Sequence, residues 1–334
     1  MSADMRYNAL LVDSAQAGQA TRRVVRRELS DLPAGDVLVR VDYSSLNYKD
    51  ALSASGNRGV TRVYPHVPGI DGAGEVIESA VDEFQPGDGV LFAAAGELGV
   101  NAPGGFGRYV RGPASEFVRL PAGMLARESM AYGTAGFTAA LSVARLLAAG
   151  VKPGQGEVLV TGATGGVGCI AVAILKREGF QVVAATGKPE QQGLLTRLGA
   201  ARVIQRDQVN DNSGRAMLHA QWAGVVDTVG GNFLATAIRS TLPGGAVTAC
   251  GNTASPDLPL TVFPFILRGV SLLGIDALLP LKAEREALWY KLAVGWRVKI
   301  LEELIHEVTL DALEPEIERI LRGGQTGRVV VRLA

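Results

Sequence analysis

The chain offers little that would hold a metal or a disulfide framework. Its 334 residues contain two cysteines, Cys169 and Cys250, and three histidines. A pair of cysteines makes no disulfide framework, and the four-ligand cluster of a structural zinc site is missing. Lysine plus arginine equals aspartate plus glutamate at 33 each, so no overall field draws the protein to nucleic acid or a membrane. A local basic pocket for an anionic substrate stays open. No apolar run approaches the roughly 20 residues of a membrane span. Met1 to Leu11 lacks a basic stretch followed by an apolar one, so no signal peptide is expected and the cytoplasm is the default. What the chain has in plenty is glycine, 42 residues of it, and apolar side chains, at 47%. That composition and length suit an α/β enzyme with two domains.

Val158 to Gly168 reads Val-Leu-Val-Thr-Gly-Ala-Thr-Gly-Gly-Val-Gly, and a helix is expected from Cys169 to Gly179. A strand, a turn of small residues and a helix form a cradle for a dinucleotide pyrophosphate. Side chains no larger than Thr164 let the backbone approach, and the helix N-terminus meets the anion. Thr164, Gly165, Gly166 and Val167 are the candidate contacts. The competing explanation is a turn whose glycines are purely conformational; the flanking strand and helix favour the cofactor.

The next strand, Gln181 to Thr186, ends in Thr186, Gly187 and Lys188. An NAD site usually places an acid here for the ribose 2′-hydroxyl. A hydroxyl, a glycine and a cation suit a 2′-phosphate instead, and Arg206 adds a second cation if the strand Arg202 to Gln205 lies alongside. Lys188 as a solvated surface lysine is the alternative. The cofactor expected is NADPH, with Tyr48 and Cys250 among its contacts.

The first third of the chain reads as β-rich, with strands at Asp36 to Tyr43, Ala73 to Val81 and Gly89 to Ala93. Gly96 to Gly107 is an irregular glycine-rich segment, either a plain loop or a substrate wall. Ala135 to Ala149 is expected to be a helix. Strands then alternate with helices at Val158 to Thr161, Gln181 to Thr186, Arg202 to Gln205, Gly224 to Asp227, Gly245 to Cys250 and Gly269 to Gly274. Helices are expected at Pro189 to Leu198, Asn232 to Ser240 and Ala283 to Trp296, with a closing strand at Arg328 to Leu333. This alternation predicts a doubly wound parallel sheet. It interrupts a β-rich domain that resumes at the C-terminus: residues 128–276 within 1–127 and 277–334.

Several motifs stand in a telling order: Asn47-Tyr48-Lys49-Asp50, Pro68-Gly69-Ile70-Asp71-Gly72-Ala73-Gly74, Pro86-Gly87-Asp88, Gly133-Thr134-Ala135-Gly136-Phe137-Thr138-Ala139, and the glycine turn. Thr186-Gly187-Lys188, Arg206-Asp207, Asp227-Thr228-Val229-Gly230, Pro264-Phe265-Ile266-Leu267-Arg268 and Gly327-Arg328 extend the set. Along its whole length the chain resembles the medium-chain dehydrogenase/reductase superfamily, in its zinc-free YhdH/AcuI-type quinone oxidoreductase branch, which includes NADPH-dependent acrylyl-CoA reductases. The resemblance implies an α/β protein with a Rossmann domain inserted in a bent-barrel, GroES-like catalytic domain, and a cleft between the two. It also implies a homodimer formed through Rossmann edge strands such as Gly269 to Gly274. The chain departs from the branch in two places. Ala93 to Gly107 lacks the usual tryptophans, and Lys188 replaces an arginine, keeping the charge without the bidentate fork.

Zinc members of the superfamily need three convergent ligands. Tyr48 and Lys49 stand where a cysteine would, and Gly69-Ile70-Asp71 replaces Gly-His-Glu. His66 reads as a hydrogen-bonded loop residue, His219 and His306 have no paired ligands, and Cys169 reads as structural, so no metal is expected. Hydride transfer without a metal suits an α,β-unsaturated thioester or ketone. Hydride adds at the β carbon, charge moves to the carbonyl oxygen, and hydrogen bonds stabilise the enolate. The candidate catalytic residues are Asn47 and Tyr48 as donors, with Asp50 and Asp71 orienting them. Asn47 and Asp50 as mere caps of a helix beginning near Lys49 is the alternative. The expected activity is reduction of a short enoyl-CoA such as acrylyl-CoA. A quinone or reactive-enone reductase is the second reading, and a non-catalytic NADPH-binding protein the third.

Overall fold

The strand Val37–Leu46 alternates so that Val37, Val39 and Val41 turn inward, where all three are buried. It forms the middle of a seven-stranded sheet in a computed structural model that describes residues 6–16, 19–93 and 95–333, with only the backbone of residues 15, 16 and 19. Residues 1–5 of the N-terminal segment and Ala94 of the glycine-rich loop lie outside the described residues. Along the sheet the strands run Ile305–Thr309, Arg328–Arg332, Val37–Leu46, Asp71–Ser79, Gly89–Ala93 and Val118–Arg119, and Tyr109–Gly112 also pairs with Val37–Leu46. The C-terminal strand Arg328–Arg332 thus lies antiparallel beside Val37–Leu46, with Val329 opposite Leu46. Phe92, Phe106, Phe117, Leu46, Val329 and Val331 share one buried core with these strands.

A separate antiparallel hairpin, Arg6–Gln16 with Gln19–Glu28, was not expected from the sequence. Its second strand reads Arg22-Arg23-Val24-Val25-Arg26-Arg27. Doubled residues hide the two-residue period on which a strand is recognised.

The other sheet is parallel and six-stranded: Arg202–Gln205, Gln181–Thr186, Glu157–Val160, Trp222–Asp227, Thr241–Ala249 and Ser271–Gly274. Strand order reverses between Glu157–Val160 and Trp222–Asp227, so their carboxyl ends border the topological switch point of a doubly wound sheet. Helices cover both faces of such a sheet, which is why its strands read as continuous apolar runs. Val158 to Val160 and Val182 to Ala185 are buried throughout.

The chain divides into two compact units, one of Met1–Thr134, Ala277–Ala293 and Leu301–Ala334, the other of Ala135–Asp276 and Val294–Ile300. Two helices begin earlier than their sequence suggests. The helix after the glycine turn runs Gly166–Arg177, because Gly165 takes an extended backbone and the helix opens directly after it. The preceding long helix spans Ala126–Ala148 rather than starting at Ala135, and is broken at Gly133 (φ 51°, ψ −156°). A glycine inside the pattern concealed its first part. The helix expected to reach Trp296 stops at Ala293.

Candidate active site

Asp71 opens the strand Asp71–Ser79 and is completely buried. The glycine-rich loop packs directly on the segment that leads to it. Gly104, Gly105 and Phe106 donate their N–H groups to the carbonyls of Val67, Gly69 and Pro68 at 2.8, 2.7 and 2.9 Å. A Cβ on Gly105 would collide with the Asp71 carbonyl, so this approach needs glycine. The segment expected as a plain loop or substrate wall is, over Gly104 to Phe106, a backing for Asp71.

Around the Asp71 carboxylate the donors are dense. Oδ1 accepts from the Thr134 hydroxyl at 2.5 Å and the Thr134 N–H at 3.1 Å. Oδ2 accepts from the Ser45 hydroxyl at 2.5 Å, the Asn47 amide at 2.7 Å and the Thr134 N–H at 2.9 Å. Arg328 stands 3.8 Å away, itself only 2% exposed at the side chain. Its guanidinium donates to Ser45 Oγ at 2.8 Å, Asn47 Oδ1 at 3.2 Å and the Ala131 carbonyl at 3.1 Å. Asp50, also fully buried, accepts the Asn47 backbone N–H at 2.8 Å, the Asn47 amide at 3.1 Å and the Ile70 N–H at 2.8 Å. Of the two carboxylates, Asp71 is the one with the guanidinium beside it. Burial, and then the negative charge of Asp71, push Asp50 up to about 7 despite those three donors.

Asn47 is the hub of this arrangement. Its amide donates to both carboxylates and its carbonyl accepts from Arg328, so its bonds are made within the protein. It is also the N-cap of the helix Tyr48–Ala54, with Asp50 at the third helical position. The capping and site readings therefore describe the same residues. Tyr48, first in that helix, is half-buried, and its hydroxyl makes no hydrogen bond among the described residues.

Gly133 explains how Thr134 enters the cluster. Its backbone conformation is one that only glycine adopts readily. A Cβ there would run into Asp71 Oδ2, Ser45 Oγ and Arg328 Nη2. Sequence reasoning did not select Ser45, Thr134 or Arg328 as site residues. Thr134 and Arg328 stood in motifs without a role, and a lone arginine opening the apolar run Val329-Val330-Val331 was the one available signal.

In the other unit the glycine turn has the form a pyrophosphate requires. Gly162 takes φ 58° and Gly165 donates to its carbonyl at 2.9 Å. A Cβ on Gly162 would strike Thr228 Oγ1, and one on Gly168 would strike the Gly162 carbonyl. The first helical N–H bonded within the chain is that of Cys169, to Gly165 at 3.0 Å. The N–H groups of Gly166, Val167 and Gly168 are left for an anion. Thr164 and Thr186 share a hydroxyl contact of 3.2 Å, and Thr186 Oγ1 accepts the Lys188 N–H at 3.0 Å. Gln205 pairs with Thr186, so Arg206 does lie beside Gly187, and a Cβ on Gly187 would be 3.0 Å from Arg206 Cδ. Burial lowers the Lys188 pKa from the usual lysine range, opposed by Glu190.

Cys250 donates its thiol to the Asp227 carbonyl at 3.3 Å, and burial, then the Asp227 charge, push it up to about 12. It is a neutral thiol just past the strand Thr241–Ala249. Cys169 is buried in its helix. His66 is buried with Nε2 unpaired, while His306 meets Glu316 at 3.3 Å. Among the described residues no three His, Cys, Asp or Glu side chains are grouped so as to hold a metal ion.

Residues 33–122 match the family described as alcohol dehydrogenase GroES-like domain, and residues 166–289 the family described as zinc-binding dehydrogenase. The chain is 44% identical to acrylyl-CoA reductase AcuI of Ruegeria pomeroyi over 97% of its own length and 98% of that protein. The YhdH oxidoreductase of Salmonella enterica, crystallised in complex with NADP, superposes with a TM-score of 0.94 at 40% identity, covering 99% of this chain and 100% of that one. The YhfP protein of Bacillus subtilis, crystallised with NAD bound, gives 0.94 at 42% identity, with 99% and 100% covered. A fully bonded carboxylate cluster on a GroES-like sheet, a glycine cradle on a doubly wound one and full-length relatives converge: the chain belongs to the medium-chain dehydrogenase/reductase superfamily, in the branch of the AcuI and YhdH proteins.

Proposed function

We propose that the protein is a zinc-independent, NADPH-dependent reductase that reduces the activated double bond of a short enoyl-CoA such as acrylyl-CoA. Residues 128–276 form its NADPH-binding domain, and residues 1–127 and 277–334 its catalytic domain. The observation that carries this reading is Tyr48, half-buried and first in the helix that Asn47 caps, whose hydroxyl makes no hydrogen bond among the described residues while Asn47 spends its own polar groups on the two carboxylates and Arg328. The full-length similarity to a relative named acrylyl-CoA reductase supports the choice of substrate.

NADPH, when bound, supplies a hydride. The N–H groups of Gly166, Val167 and Gly168, at the positive end of their helix, face its pyrophosphate, with Thr164 and Gly165 in the turn. Thr186, Gly187, Lys188 and Arg206 hold the 2′-phosphate, where an acid would repel it, and Cys250 and Tyr48 complete the contacts. Tyr48 donates to the carbonyl oxygen on which enolate charge accumulates. One such donor contributes about 3–4 kcal/mol to lowering a barrier. Asn47 holds Tyr48 in place as the cap of its helix, and Asp50 and Asp71 hold Asn47.

The same residues would serve a quinone or a reactive enone, which is the second reading. NADPH oxidation followed against acrylyl-CoA, crotonyl-CoA, quinones and enals decides between them. The enoyl thioesters should give the highest kcat/KM. Quinone turnover without enoyl-CoA turnover would replace the first reading by the second, and no turnover at all would leave a binding protein.

The assembly in this reading is a cytoplasmic homodimer. Ser271–Gly274 is an edge strand of the six-stranded sheet, and the helix before it exposes Ile266 and Leu267 at 67% and 65%. An open strand edge beside apolar side chains suits pairing with a second copy. Among the described residues no helix is long and apolar enough to cross a membrane.

A further inference from the structure

The helix Ala126–Ala148 is broken at Gly133, and the division between the two compact units falls one residue later, between Thr134 and Ala135. At the break Thr134 turns both its N–H and its hydroxyl onto a buried carboxylate. Among the described residues Thr134 supplies both donors that Asp71 Oδ1 receives, and its N–H also reaches Oδ2 beside Ser45 and Asn47. Building on the reductase reading, we propose that Thr134 is the positioning residue of the site: it sets the orientation of Asp71 and, through Asn47, that of Asp50 and of the helical turn that carries Tyr48.

The argument is one of donor geometry. A carboxylate rotates about its last bond over a broad range, so its orientation is set by the bonds at its two oxygens. Threonine is β-branched, which limits the rotamers open to its hydroxyl. The backbone break at Gly133 then directs Thr134 at Asp71. With Asp71 fixed, Oδ2 selects the face of the Asn47 amide that donates, and the Asn47 carbonyl is left for Arg328. Asp50 receives the remaining amide contact. The charged groups in this cluster are Asp50, Asp71 and Arg328. Removing the Thr134 hydroxyl leaves the Asp71 charge less neutralised, so Asp50, which that charge pushes up, titrates at higher pH.

Thr134→Ala and Thr134→Val delete the hydroxyl, and Thr134→Ser keeps it. Protein labelled with carboxyl-13C aspartate, titrated by NMR, should show the Asp50 resonance titrating at higher pH in the Ala and Val variants and at the wild-type pH in the Ser variant. With NADPH and an acceptor that the wild type reduces, kcat should fall about tenfold in the Ala and Val variants, the loss of one charge-assisted donor, with little change in KM for NADPH. Thr134→Ser should restore it. An unshifted titration in both Ala and Val variants, or a Ser variant as impaired as the Ala one, overturns the proposal. The titration needs no turnover, so a wild type that reduces nothing sinks the reductase reading alone and leaves Thr134 judged by the Asp50 resonance.

Discussion

Asn47 shows how a residue can be a helix cap and the centre of a polar cluster at once: its backbone N–H reaches Asp50 while its amide joins both carboxylates. Tyr48 is next to it and has no such duties. Tyr48→Phe should therefore lower kcat by about 100-fold or more, the typical loss of one oxyanion donor, while the melting temperature barely changes; a normal rate would leave the ring with a stacking role only. Lys188→Ala should weaken NADPH more than NADH, by roughly ten- to hundredfold for a charge-assisted bond to phosphate. Equal losses in both titrations would remove Lys188 from the 2′-phosphate site. Asp50 sets a pH dependence whose sign follows from its raised value of about 7. The fold favours the protonated acid, so the contribution of Asp50 to stability is full below the unfolded value near 4 and is lost as pH rises through about 7. Melting temperatures of the wild type should accordingly fall more between about pH 5 and about pH 8 than those of Asp50→Asn. The variant itself should be less stable throughout, because three donor groups, two on Asn47 and one on Ile70, point at Asp50 and an amide cannot accept from them all.

Among the elements, the long helix is the informative one. Its apolar pattern after Ala135 was plain, but its start was masked by Gly133, and the masking residue is the one that admits the site. Gly133→Ala should cost on the order of 1–3 kcal/mol from the backbone conformation alone, and more from the collision with Asp71, Ser45 and Arg328. Denaturant titration checks the stability, and kcat should fall with it because the same Cβ displaces the carboxylate. The N-terminal hairpin, with its paired arginines, shows the opposite limit, a strand with no legible period. The irregular stretch 210–221 holds its place by tertiary bonds instead. The buried Arg239 donates to the Asp211 and Arg215 carbonyls at 2.9 Å each, and Arg268 to the Leu218 carbonyl at 2.6 Å.

At the scale of the molecule, the chain uses a dehydrogenase architecture, a GroES-like domain with a zinc-binding-dehydrogenase match in the rest. The resemblance read from the sequence expects a cysteine near Tyr48-Lys49 and a histidine at Ile70 in a zinc member, and the neighbouring Asp71 lies beside Arg328 instead. Turnover should survive exhaustive dialysis against EDTA, and metal analysis of active enzyme should find zinc far below one equivalent. Stoichiometric zinc, or activity lost to the chelator and restored by zinc, would end the metal-free assignment.

The sequence by itself determined what depends on neighbours along the chain. Strand, glycine turn and helix at Val158 to Gly168 follow from local periodicity and from the φ freedom of glycine, and so does the alternation that makes the parallel sheet. The motifs Asn47 to Asp50 and Gly69 to Asp71 were visible for the same reason. Tertiary structure alone decided what those motifs touch. Arg328 lies 281 residues from Asn47 and Thr134 lies 63 from Asp71, and no local pattern reports pairings at that separation. Whether a buried carboxylate keeps its proton depends on the charges and donors folded around it, and here those come from the strand Val37–Leu46, the C-terminal strand and a broken helix that meet only when the sheet has formed.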